Sequence, residues 1–168
     1  HLYKNFGRID GVIYDIPKLG ISFPFEQNEI QNLYKIMTIN FYNKFITLKT
    51  IMPLIKLSKK PSIIFTTYDI TNLNSYWCGY TCTNSALQTL IKIIYKENES
   101  ISKIKINQIQ LQTNNANIYT KEFPGIIKNT INIKKLINIY IYLISNKNKS
   151  IKNKTFNINK YTVIHNKL

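Results

Sequence analysis

Ser62-Ile63-Ile64-Phe65-Thr66, entered through Lys59-Lys60-Pro61 and left through a polar turn from Asp69 to Ser75, is the stretch that decides how this chain folds. Its β-branched and aromatic residues run without polar alternation, the mark of a strand buried on both faces. Beyond the turn, from Tyr76 to about Glu97, Leu87, Leu90, Ile91, Ile94 and Tyr95 recur at three- and four-residue steps and predict a long helix.

Working outward, Gly11-Val12-Ile13-Tyr14 reads as a short strand closed by Pro17 and Gly20. The next segment, about Glu29 to Leu57, is helical by the spacing of Ile30, Leu33, Tyr34, Met37, Asn40, Phe41, Lys44, Phe45, Leu48 and Met52. Pro53 lies four residues before its end and should kink or close it. Downstream, Ile104, Ile106, Ile109 and Leu111 alternate within Lys103 to Leu111, a third strand. An Asn- and Gln-rich loop passes Pro124-Gly125, Lys134 to Ser145 forms a third helix, and Lys154 to Ile158 a final edge strand. Strands and helices that alternate in this way predict an α/β fold, with a parallel sheet covered on both faces. One unit spans 1–158, and the basic tail 159–168 is expected to fray. His1 and a strand-like opening with no lead-in create the expectation that sequence is missing upstream.

Net charge is +15, which ordinarily points to nucleic acid or an anionic surface. Against that, 22 Lys accompany a single Arg, Arg8, and the lysines are spread along the chain. Base and phosphate recognition favours the fork of Arg in clusters, so no nucleic-acid role is expected. The abundance of Ile, Asn, Lys and Tyr instead fits an AT-rich coding sequence. Cys78 and Cys82 cannot complete a four-ligand zinc site and read as two small apolar side chains on one helix face. The longest apolar stretch, Leu136 to Ile144, falls well short of the ~20 residues of a membrane span, and a cytoplasmic, reducing setting is expected.

The segment Phe6 to Tyr14, the Asn40-containing helix ending in Met52-Pro53-Leu54-Ile55, the Phe65-Thr66-Thr67 strand and Trp77-Cys78-Gly79-Tyr80 together resemble the short-chain dehydrogenase/reductase family, in particular its enterobacterial YciK-type branch. The resemblance runs from about His1 to Ile158 and corresponds to the C-terminal two-thirds of that family's domain. It implies a Rossmann-like doubly wound sheet whose N-terminal nucleotide-binding half is absent from this chain.

The resemblance also implies an activity, the interconversion of small-molecule alcohols and carbonyls with NAD or NADP. In that family a Tyr exchanges a proton with the substrate oxygen, a Ser hydroxyl holds that oxygen, a Lys four residues after the Tyr favours its phenolate, and an Asn orders a water relay. Carried over, the Tyr is Tyr80 and the Asn is Asn40. The Ser position falls on Thr67, or on Tyr68 if the intervening turn is one residue shorter. The Lys position is Asn84, which brings no charge. Cofactor-contacting positions fall on Asp15, Asn84, Leu111 and Asn114. Of these, Asp15 begins Asp15-Ile16-Pro17 where the family has Asn-Ala-Gly, and Leu111-Gln112 stands where it has Pro-Gly. The resemblance thus points to an oxidoreductase that is fragmentary or impaired, or to a pseudoenzyme. NAD or NADP is expected in a full-length parent and none for this chain alone, since no Gly-rich phosphate loop occurs in it. Homo-oligomerisation through the two long helices is implied as well, with Phe41, Phe45, Leu48, Leu90 and Ile94 as the extra apolar positions.

Overall fold

The computed structural model describes residues 2–15, 18, 20, 23–68, 75–100, 103–111, 133–145 and 151–158. Four strands, β1 (Gly11–Tyr14), β2 (Ser62–Tyr68), β3 (Lys105–Leu111) and β4 (Thr155–Asn157), form one sheet in the order β1-β2-β3-β4. Every pairing is parallel. β2 is buried along its whole length, as its unalternating sequence predicts.

The helices are α1 (Leu2–Phe6), α2 (Ile30–Met37), α3 (Asn43–Lys56), α4 (Cys78–Glu99) and α5 (Ile133–Ile144). The expected strand with no lead-in is corrected by α1, a five-residue helix ahead of β1. The single long helix foreseen over Glu29 to Leu57 is α2 and α3 joined by a π-helical turn, Thr38–Tyr42. Pro53 lies inside α3, which stops at Lys56 less than one turn later. The tail 159–168 and the loop 112–132 lie outside the described residues.

Strand alternation divides the interior into two layers. Ile63 and Phe65 of β2, with Tyr14 and Ile106, pack under Leu48 and Ile55 of α3 and Leu87, Ile91 and Ile94 of α4. On the other face Ile64 and Tyr68, with Ile109, Leu111 and Phe156, pack under Ile139 and Leu143 of α5. α5 also reaches back to β2 and, through Ile144, to Gly11 of β1. Ser62 Oγ donates to Leu143 O at 3.2 Å, and Thr66 Oγ1 is hydrogen-bonded to Tyr140 Oη. Because the sheet continues from β3 to β4 in one direction while α5 covers the opposite face from α3 and α4, the β3–α5–β4 unit has the opposite hand to the two before it.

The buried Asn107 sets the start of β4. Its Nδ2 donates to Ile151 O and its Oδ1 accepts from Lys154 N. An amide in an apolar layer is tolerated because both ends are paired.

Leu143 is fully buried between α5 and the sheet. Leu143→Ala should therefore lower unfolding free energy by about 2–5 kcal/mol, the range for a buried Leu truncation, read as a lower midpoint in urea with an unchanged slope.

Candidate active site

The site lies at the carboxyl ends of β1 and β2, where open parallel sheets present a crevice to ligands. Two backbone irregularities border it. The first is the π-helical turn Thr38–Tyr42, which carries Asn40 into the interior; such insertions recur at functional sites. The second is Tyr76, whose φ of 70° is a strained value for a bulky residue, just before α4 begins. Tyr76 O accepts from Phe23 N at 3.2 Å, which holds the strained turn in place.

Asn40 is 1 % exposed. Its Oδ1 accepts from Lys18 N at 2.8 Å and its Nδ2 donates to Lys18 O at 2.6 Å, so the side chain closes a backbone-like pair with the segment that follows β1. The same Nδ2 lies 3.4 Å from Thr83 Oγ1, which donates to Tyr80 O at 2.8 Å. Asn40 and Tyr80 are thus linked through Thr83. Gly79 permits the close approach this needs, since a Cβ there would stand 3.2 Å from Ile36 Cδ1 of α2.

Tyr80 is 4 % exposed. Its ring meets Tyr68 edge-on at 5.8 Å and Trp77 at 6.4 Å. Asn84, one turn further along α4, donates from Nδ2 to Tyr68 O at 2.8 Å and receives Tyr68 N at 3.5 Å. Gln88 Nε2 also donates to Tyr68 O, at 3.0 Å. The amide at position 84 therefore meets both the carbonyl and the N–H at the end of β2, whereas a Lys, with no acceptor, could meet only the carbonyl.

Thr67 has the parity of Ile63 and Phe65, the face that α3 and α4 cover, and its Oγ1 accepts from Gln108 Nε2 at 2.7 Å. The ring packed against Tyr80 is that of Tyr68, the next residue. Leu111 is buried on the Tyr80 side, Asp15 is exposed after β1, and Asn114 lies outside the described residues.

Lys44, one turn beyond Asn40, counts in the sequence only as a position of the helical period, with no site role. Its Nζ donates to Asp15 O at 3.1 Å. Burial pushes its amine down to about 8, with the Asp15 carboxylate opposing the shift in part. Asn40 and Lys44 together hold the chain that leaves β1 at two points. The available signal was their four-residue spacing on one helix.

The fold is that of an open parallel α/β domain with a Tyr-centred crevice at its strand ends. Solved structures share this fold. A short-chain dehydrogenase from Pseudomonas syringae is 22% identical and superposes with a TM-score of 0.83 over 94% of this chain and 64% of its own. The oxidoreductase yciK from Escherichia coli is 19% identical, with a TM-score of 0.81 over 94% of this chain and 64% of its own. A short-chain dehydrogenase from Escherichia coli CFT073, solved with NADPH, is 19% identical, with a TM-score of 0.82 over 94% of this chain and 65% of its own. The chain has the short-chain dehydrogenase fold and spans about two-thirds of the length of those structures. No family model matches it, and no curated protein matches it in sequence.

Lys44 generates a pH prediction. Below about pH 8 its amine is charged in folded and unfolded states alike, and the fold carries the full cost of burying it. Between about 8 and 10.5 the unfolded chain binds more protons than the folded one, so stability rises with pH. Lys44→Met should be more stable than the wild type at pH 7, and the difference between their urea midpoints should shrink as pH approaches 10.

Proposed function

We propose that this chain is the proton-transfer and substrate-facing part of a short-chain dehydrogenase/reductase-type oxidoreductase, interconverting a small-molecule carbonyl and alcohol with NAD or NADP. The observation that supports this most is the linked trio Asn40, Thr83 and Tyr80 at the carboxyl ends of β1 and β2, bordered by a π-turn and a strained Tyr76. Two of the similar solved chains are described with NADPH or NADP. When bound, the nicotinamide would supply or accept the hydride.

The five glycines, Gly7, Gly11, Gly20, Gly79 and Gly125, form no G-x-G-x-x-G. The residues present therefore do not fit the pyrophosphate of a dinucleotide, and its cradle would belong to sequence outside 1–168.

Within this chain Tyr80 Oη is the proton donor to the carbonyl oxygen. Asn40, through Thr83, fixes the turn from which it acts. A phenol titrates near ~10 unless a cation favours its phenolate, and the neutral Asn84 provides none, so carbonyl reduction is the favoured direction. Thr67 Oγ1 accepts from Gln108 Nε2, which holds the hydroxyl in place and leaves its own O–H free to donate, as the family Ser does.

The second reading, a pseudoenzyme, is favoured by the same geometry from another side. The Tyr68 ring sits against Tyr80, and both amide atoms of Asn84 are spent on Tyr68 backbone. Turnover separates the two. In a longer gene product containing these residues, NADPH-dependent reduction of carbonyl compounds should fall about 10²-fold or more in Tyr80→Phe. An unchanged rate removes Tyr80 from the mechanism, and no turnover in the wild type leaves the pseudoenzyme. Residues 1–168 alone should show no heat of NADPH binding at micromolar concentration.

We further propose that two copies pair through α3 and α4. Leu48 and Ile94, expected at such an interface, are buried in the chain's own core. Phe45 and Ile93 stand exposed instead, beside an apolar cavity of about 660 Å³ between the two helices. Lys49, Lys56 and Glu97 line its edge with both signs of charge, as a self-complementary face requires. Sedimentation should give a dimer, and Ile93→Glu a monomer; a monomeric wild type at micromolar concentration overturns the pairing. The location proposed is the cytoplasm. Among the described residues no helix is long and apolar enough to cross a membrane.

A further inference from the structure

Cys78 and Cys82 stand one turn apart at the start of α4, with Tyr80 between them in sequence. Four residues of helical rise put their Cα atoms about 6 Å apart, within the span that a disulfide bridges. Cys82 is exposed and Cys78 half-buried, so one sulfur is open to a reagent and the other lies behind it. Among the described residues no cluster of three His, Cys, Asp or Glu side chains could hold a metal ion.

We propose that Cys78 and Cys82 form a redox-active dithiol, closed by a small-molecule disulfide such as oxidised glutathione, and that closure reshapes the turn carrying Tyr80. The thiol chemistry stands without the oxidoreductase reading. Only its effect on turnover rests on that reading.

The exchange proceeds in two steps. Cys82, as its thiolate, attacks one sulfur of glutathione disulfide and releases glutathione, giving a mixed disulfide on Cys82. Cys78, as its thiolate, then attacks Cys82 Sγ and releases the second glutathione. The protein loses two protons and two electrons, and the reagent gains both as two thiols. Burial and the neighbouring Cys78 raise the Cys82 thiol above its ordinary range, so the first step should quicken into alkaline pH.

Geometry couples the bond to the site. Helical neighbours four apart hold their Cβ atoms about 5–6 Å from each other, whereas a disulfide brings them to about 3.5–4.5 Å. Closure must therefore tighten the first turn of α4. That turn carries Tyr80 inward against Tyr68, and Trp77, the residue ahead of it, packs edge-on to Tyr80. A bridge strained in this way is readily reduced, as a reversible device requires.

Trp77 is the sole tryptophan of the chain and is buried, so its emission reports on this turn. The experiment equilibrates the chain at pH 8 with glutathione and glutathione disulfide at graded ratios, then reads intact mass and Trp77 emission. The wild type should lose two hydrogens with no retained glutathione and shift its emission reversibly on reduction. Cys78→Ser should stop at one glutathione adduct on Cys82, and Cys82→Ser should react more slowly; neither should reproduce the shift. Two adducts on the wild type, or a bridge between two chains, overturns the dithiol. A bridge with unchanged Trp77 emission overturns the coupling. Reductase activity of the longer gene product, followed over the same ratios, tests the regulatory effect separately. Activity that is unaltered by closure overturns that effect alone, and a wild type inactive even when reduced counts against the oxidoreductase reading while the bridge stands.

Discussion

A strand with no access to water on either face or either edge must have every backbone polar group met by protein, and β2 is in that position. β1 and β3 pair along it in parallel. Its last residue, Tyr68, has its carbonyl and amide met by side chains of α4, because the strand ends where that helix begins. Asn84 and Gln88 do this work, and in doing so they fix where α4 lies and hence where Tyr80 and Trp77 can reach. The same requirement shapes the opposite end, where Ser62 Oγ and the buried Lys105 amine both donate to carbonyls at the end of α5. Burial pushes that amine below its ordinary range.

The requirement also bears on the chemistry. A cation at position 84 would stand in a region that is 2 % exposed, where an unpaired ammonium is costly to bury. An amide meets both the carbonyl and the N–H of Tyr68 and contributes no charge. The half-buried cation at the strand ends is Lys44, which lies at the β1 side and is tied to Asp15 O.

Much of the fold was legible because its signals are local. The unbroken Ser62–Thr66 run, the helical spacing of Leu87, Ile91 and Ile94, and the alternation through Ile104, Ile106 and Ile109 each reflect one period. The π-turn at Asn40 was not legible, because it breaks that period for the sake of a contact with Lys18, 22 residues away. Tyr76 offered no signal at all, since its positive φ is imposed by neighbours rather than chosen by its side chain. Tyr80, Asn40 and Asn84 do lie together, and what their sequence could not convey is that each is engaged with backbone or ring neighbours.

The reversed hand of the β3–α5–β4 unit has a consequence for how the molecule is assembled. α5 settles on β1 and β2, and the Ser62–Leu143 contact closes a loop of 81 residues. Contacts of such separation form late, because the entropy of closing the loop is lost before any packing is gained. During synthesis one side of β2 thus stays bare until the α5 segment has left the ribosome. Ile64, Tyr68 and Ile109 are the residues a holdase would meet there, and that exposure lasts until α5 arrives.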